Sequence, residues 1–136
     1  MPYIYRWEEL EGEEHGRPSS RCRIKVITGR EIQLVRAEFE PGGEYEMHRH
    51  PHEQFGMLLE GRLLLVVDGE EREIGPGDVW YVPPGVVHGG RILGEGPVVF
   101  VDFFHPVRRD LLEEMRRKRA ERKRLEEREE EEEGRP

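Results

Sequence analysis

Cysteine is almost absent from this chain: Cys22 stands alone among 136 residues. A single thiol builds neither a disulfide framework nor a thiolate metal site, so a cytoplasmic setting fits best, with Cys22 as a small, partly buried residue. Long apolar runs are missing as well. The longest, such as Leu63–Val67, fall far short of the roughly 20 residues that a membrane-spanning helix needs. Met1-Pro2-Tyr3 opens with neither the basic nor the hydrophobic region of a signal peptide. The chain also lacks a basic excess, since its formal charge is −8. Residues 107–136 hold eleven Lys/Arg and eleven Asp/Glu, against eleven and nineteen in residues 1–106. The whole excess therefore sits on the body, and an acidic body argues against nucleic acid as a partner.

What is present is a series of short runs with strand character, separated by Gly and Pro. Residues 1–22 form a mixed arm in which Tyr3, Ile4, Tyr5 and Trp7 can pack. Such an arm lies across a sheet edge or reaches a second subunit. The runs Arg23–Thr28, Ile32–Phe39, Glu44–His50, Glu53–Leu59, Arg62–Asp68, Glu71–Ile74, Asp78–Val82, Val86–Gly90 and Pro97–Phe104 follow over residues 23–106. Asp68-Gly69 between apolar runs signals a hairpin. Strands so short and so evenly spaced predict one all-β domain with antiparallel pairing, a jelly-roll barrel being the leading form. From residue 107 to 136 Arg, Glu, Lys, Leu and Ala dominate, which predicts a charged C-terminal α-helix. Leu111, Leu112 and Met115 can dock one face on the body. Ala120 and Leu125 are too few for a further stripe, so the distal part is expected to be solvated and to fray over Glu129–Glu133.

The chemistry concentrates at Met47–Gln54, where His48, His50, His52 and Gln54 occur within seven residues. On a strand, residues two apart share a face, so His48 and His50 can offer both imidazoles to one ion. Glu53–Leu59 reads as the next strand, and His88 follows a Gly/Pro-rich turn near a third. Pro51 breaks the alternation, which leaves His52 in a turn. Glu53 points opposite to Gln54, and surface or packing roles suffice for His15 and His105. A second constellation ends the barrel: Asp102 and Phe104 lie two apart on the last strand, facing one cavity with Phe100, and Arg108 is a nearby cation suited to a carboxylate. The same residues also fit a plain strand-to-helix junction, with Phe104 in the core, Asp102 hydrogen-bonded and Arg108 exposed.

The spacing carries a resemblance. Gly42, five residues, His48, one residue, His50, three residues, Gln54, six residues and Gly61 match the first cupin motif, with Gln54 where glutamate is usual. Gly77, five residues, Pro83, one residue, Gly85, two residues and His88 match the second, with Ile92 where its final asparagine is customary. The chain thus resembles a cupin, which implies a double-stranded β-helix of the jelly-roll kind holding a metal inside the barrel mouth. The ligands implied are His48, His50, Gln54 and His88. Three imidazoles and an amide leave a divalent ion its full charge, which suits a Lewis acid better than the carboxylate-containing iron sites of oxygenases. These donors suit Zn, Ni, Fe, Mn and Cu alike.

The strings His48–Gln54, Leu59-Glu60-Gly61 and Pro76–Pro84, together with Asp102, Phe104, Pro106, Arg108 and Asp110, are similar to the pectin-degradation cupin family KdgF. His105 and Val107 depart from the small residue and proline expected there, and the tail is longer. The resemblance implies conversion of 4,5-unsaturated uronates, released from pectin or alginate, to linear 5-keto-4-deoxyuronate. Asp102 would then shuttle a proton and Arg108 hold the substrate carboxylate, while Phe104, Trp80 or Tyr81 shape an apolar wall. A homodimer paired through sheet edges is expected on the same analogy. The rival readings are a non-catalytic sugar- or metabolite-binding cupin, and another cupin enzyme such as a polyketide cyclase or dioxygenase.

Overall fold

Turn residues set where each strand ends. Asp68 and Gly69 both adopt left-handed backbone angles, with φ of 49° and 79°, the pairing that a tight right-twisted hairpin requires. In the computed structural model, which describes residues 2–135, ten strands and one α-helix follow, besides single 3-10 turns at Trp7–Glu9 and Pro18–Ser20. They are β1 (Glu13–His15), β2 (Cys22–Thr28), β3 (Gln33–Phe39), β4 (Glu44–His48), β5 (Glu53–Glu60), β6 (Arg62–Val67), β7 (Glu70–Ile74), β8 (Val79–Val82), β9 (His88–Leu93), β10 (Val98–His105) and α1 (Arg109–Glu133). They pair antiparallel into a sheet ordered β1-β2-β3-β10-β5-β8 and a second ordered β4-β9-β6-β7. The expected all-β jelly roll with a charged C-terminal helix is what forms.

Alternation on the strands fills the space between the sheets. Val35, Ala37 and Phe39 on β3, Leu58 on β5 and Phe100 on β10 point inward, where they meet Leu63 and Leu65 of β6 and Ile74 of β7. Phe100 is central, with ring centroids 5.7 Å from Phe39, 5.2 Å from Tyr45 and 5.4 Å from Trp80. Burial of each Val, Leu, Ile or Phe side chain among them stabilises the fold by about 1.5–3 kcal/mol. Two glycines permit close approach. A Cβ on Gly56 would lie 2.2 Å from the Trp80 ring, and one on Gly90 would lie 2.3 Å from the Leu64 carbonyl. Gly90 therefore extends β9 through to Leu93 rather than ending it, as its turn propensity led one to expect.

Other boundaries also differ from expectation. β4 stops at His48, so His50 belongs to the following loop and not to the strand. Asp78 lies outside β8 because its carboxylate accepts the Gly75 N–H at 2.8 Å and closes the turn. The arm contributes β1, which pairs with the edge strand β2 of the same chain. α1 stays helical through Glu133 instead of fraying at Glu129, since no Gly or Pro intervenes before Gly134. Leu111 and Met115 dock it, Leu112 staying half-buried. The helix is not merely solvated beyond them. Arg122 reaches the buried Glu13 at 2.7 Å, and Arg119 reaches Glu11 at 2.9 Å. Among the described residues no helix is long and apolar enough to cross a membrane.

Candidate metal centre and its cavity

Three imidazoles converge from separate segments. His48 ends β4 directly opposite His88, the first residue of β9, and their ring centroids are 4.1 Å apart. His50 comes in from the loop, 4.9 Å from His88 and 5.7 Å from His48. One nitrogen from each ring lies within 4.8 Å of the others, so the three can hold a metal ion together. His88 and His50 are buried.

Each ring is pinned the same way. The Nδ1 atoms of His48, His50 and His88 lie 2.8, 3.1 and 2.9 Å from the carbonyls of Glu46, His52 and Val86. An Nδ1–H donated to each carbonyl fixes the tautomer and leaves the Nε2 lone pair free, the outer support that ligating histidines receive. The Nε2 of His88 is buried with no partner. The Nε2 of His50 faces the Gln54 Oε1 at 2.9 Å. Both atoms are then acceptors, an arrangement that a cation beside the two satisfies. Burial pushes the His50 and His88 values down to about 4 and lowers that of His48, so the rings are neutral and able to ligate. The donor set fits a divalent transition ion. His52 contributes a backbone carbonyl and a ring packed 5.5 Å from His50, rather than a ligand.

A cavity of about 230 Å³ opens beside this cluster, with His48, Gln54, Asp102, Arg108 and Tyr45 as polar lining and Phe104 beside them. Ile24, Val35, Ala37, Phe39 and Phe100 form an apolar floor. Asp102 faces Gly56 across the sheet and Phe104 faces Gln54, which places all of these inward-pointing side chains on one wall. Burial raises the Asp102 carboxyl to about 7, against the pull of Gln54 and the Arg108 guanidinium, and its Oδ1 has no hydrogen-bond partner. Phe104 is wedged between the ring of His50 (5.4 Å) and the Arg108 guanidinium (4.9 Å).

Arg108 is buried rather than exposed. Its main chain is clamped by Gln33, whose Oε1 accepts the Arg108 N–H at 3.1 Å. Its Nη2 meets Asp110 at 2.7 Å.

Of the three residues expected as alternatives for the apolar wall, Phe104 lines the cavity and the other two do not. Trp80 packs into the core against Gly56, and Tyr81 turns outward to donate to Glu53 at 2.6 Å. Neither lines the cavity. Two residues passed over as functional do line it. Cys22 is one, its thiol pushed up to about 12 by burial and then by the Asp102 charge. Tyr45 is the other, its hydroxyl pushed well above the usual range by burial and then by Asp102. Simple alternation puts Tyr45 and His48 on opposite faces. A register shift between them makes Glu46 and Met47 both face out and returns His48 to the inner side, the re-aiming that a β-bulge produces. Sequence offered no signal for it. At the cavity mouth, residues 15–20 of the arm meet β4, where Arg17 pairs with Glu46 and Ser19 donates to Glu44 at 3.3 Å.

Residues 35–104 match the cupin domain family. The pectin degradation protein KdgF of Dickeya dadantii is 31% identical over 108 residues, covering 78% of this chain and 90% of that protein. Among solved structures, an RmlC-like cupin from Shewanella frigidimarina superposes with a TM-score of 0.73 at 28% identity, over 82% of this chain and 96% of the other. KdgF from a Halomonas species gives 0.70 at 24% identity, over 79% and 98%.

Proposed function

The chain belongs to the cupin domain family, and on that footing we propose that it is a metal-dependent enzyme converting 4,5-unsaturated uronates to linear 5-keto-4-deoxyuronate. The observation that carries the reading is a cluster of three backbone-pinned imidazoles whose His48 lines the same cavity as a buried carboxylate with an unpartnered oxygen. The likeness to a pectin degradation protein supports the substrate class.

His48, His50, Gln54 and His88 would hold a divalent ion, which when bound supplies Lewis acidity toward a substrate oxygen. The conversion is an isomerisation. A proton leaves the anomeric hydroxyl, the C1–O5 bond opens, and a proton is delivered to C4 as the enol becomes a ketone. In this reading Asp102 carries that proton, a role supported by its Oδ1, which is buried without a hydrogen-bond partner. Arg108 sets a fixed positive charge at the cavity for the substrate carboxylate, and Phe104 holds both Arg108 and His50 in place. Neutral Gln54 leaves the charge of the ion undiminished, which favours this chemistry over oxygen activation. The lone Cys22 forms no disulfide framework, which supports a cytoplasmic setting.

The apolar floor favours one second reading, another cupin enzyme whose ligand has a larger apolar part. The deciding experiment incubates purified, metal-analysed protein with unsaturated galacturonate or guluronate and follows loss of the alkene absorbance. Turnover by the wild type, abolished in Asp102→Asn at unchanged metal content, is expected. Full turnover in that variant removes Asp102 from the mechanism. Saturable binding without product makes the protein a binding module.

A further inference from the structure

The cavity has a second polar end, built by the arm and α1. His15 closes β1 and lines the cavity together with Gly16 and Ser20. Gly16, with φ of 75°, turns the arm directly behind it. The His15 Nδ1 lies 3.0 Å from a carboxylate oxygen of Glu114 on α1. The same oxygen accepts the Gly16 N–H at 3.2 Å and meets Lys118 at 3.2 Å. Lys118 also donates to the Gly16 carbonyl at 3.0 Å. Burial works against the charge of Glu114, yet these partners hold its carboxyl down at about 2. Glu114 is therefore an acceptor only, and the Nδ1 of His15 is the donor. In the neutral ring that bond makes Nε2 a lone-pair acceptor. Tying the arm to the helix uses Nδ1 alone, and the second nitrogen is left over on a ring that lines the cavity. The carboxylates at the mouth are already engaged, Glu46 by Arg17 and Glu44 by Ser19 at 3.3 Å.

We propose that His15 contacts the substrate: its Nε2 accepts a hydrogen bond from a ligand hydroxyl at the cavity mouth, and so selects polyhydroxylated acids over apolar acids of the same size. The inference rests on the reading of the cavity as a sugar-acid site and adds the group that reads the hydroxyls. In that reading the ion takes one substrate oxygen and Arg108 the carboxylate, which leaves the other ring hydroxyls to be accounted for. A hydroxyl taken out of water without a partner weakens binding, and the floor of Ile24, Val35, Ala37, Phe39 and Phe100 offers none. Nε2 supplies one. It also penalises the wrong ligand, since an apolar body packed against it leaves a desolvated acceptor unpaired. His15 and Glu114 both lie outside the residues 35–104 that match the cupin domain family, so the arm and α1, not the matched barrel, supply this contact.

His15→Asn separates the two nitrogens, since its amide N–H can replace Nδ1–H toward Glu114 while nothing replaces Nε2. Calorimetric titration of the full-length, metal-loaded protein compares galacturonate with cyclohexanecarboxylate, acids of similar size with and without hydroxyls. The wild type is expected to bind galacturonate the more tightly. In His15→Asn the galacturonate affinity is expected to fall about tenfold, with cyclohexanecarboxylate affinity, metal content and thermal midpoint unchanged. His15→Ala is expected to show the same split in affinity, because Gly16 and Lys118 still tie the arm to Glu114. Galacturonate affinity unmoved in both variants overturns the proposal and leaves His15 a tie between arm and helix. So does an equal loss for both acids, or a wild type that does not distinguish them. Galacturonate binding lowered in His15→Asn, without turnover of an unsaturated uronate by the wild type, would remove the proposed reaction and leave this inference standing. Turnover together with unmoved affinity in the variants would do the reverse.

Discussion

Gln33 has a larger part in the site than its residue type suggests. It is buried on β3, where its amide accepts the Arg108 N–H, donates to the Arg108 carbonyl at 3.5 Å and donates to Thr28 Oγ1 at 3.2 Å. These bonds fix the chain as it leaves β10 and enter α1 with Arg108 turned toward the cavity. Gln33→Ala leaves the Arg108 N–H and carbonyl without partners, at a cost of about 1–3 kcal/mol. The expected result is a lower thermal midpoint and a raised KM for an anionic substrate, with kcat and metal content little changed. An unaltered KM would show that Arg108 keeps its place without the clamp. The histidines, by contrast, were legible because their spacing is local and each Nδ1 is held by a carbonyl within two residues. Arg108 was legible as a candidate, but its burial was not, since the residue that holds it lies 75 positions away.

Between elements, the arm and α1 dock through polar contacts that periodicity does not reveal. Apolar residues at helical spacing pointed to Leu111 and Met115, and both are buried. The balanced charges beyond them read as solvated, yet Glu13 is only 3% exposed beneath Arg119 and Arg122. Tyr45 escaped for a similar reason, since a bulge overrides the two-residue alternation. Glu114 makes the docking testable. Burial favours its neutral form, but the His15 ring (3.0 Å), the Gly16 N–H (3.2 Å) and Lys118 (3.2 Å) together hold its carboxyl down at about 2. Its folded value therefore lies below the unfolded value near 4.5. Its contribution is complete above that unfolded value and is lost as pH falls toward 2. Glu114→Gln should cost about 1–2 kcal/mol at neutral pH. It should also flatten the fall in thermal midpoint that the wild type shows between about pH 5 and pH 3. An acid-limb slope unchanged in the variant would assign the loss to other carboxylates.

For the whole molecule, the four proposed ligands do not share one sheet. His48 and His88 belong to β4 and β9 of the smaller sheet, Gln54 to β5 of the larger, and His50 to the loop between them. An ion held by all four therefore ties the two layers together at the barrel mouth, where no hydrogen-bonded ladder joins β4 to β5. Binding to the folded chain alone stabilises it, by about 2.7 kcal/mol when free metal is a hundred times its dissociation constant. For a domain of this size that is roughly 10 °C in midpoint. Calorimetry on chelator-treated protein, before and after adding back Zn, Ni, Fe, Mn or Cu, should show such a rise for the ion the site accepts. His88→Ala should remove the rise, because it takes away a ligand from the smaller sheet. Gln54→Ala should reduce it by weakening the tie to the larger one. If Gln54→Ala matches the wild type in both metal content and midpoint shift, the centre is a three-histidine site confined to one layer and its loop. The metal would then serve chemistry without bracing the fold.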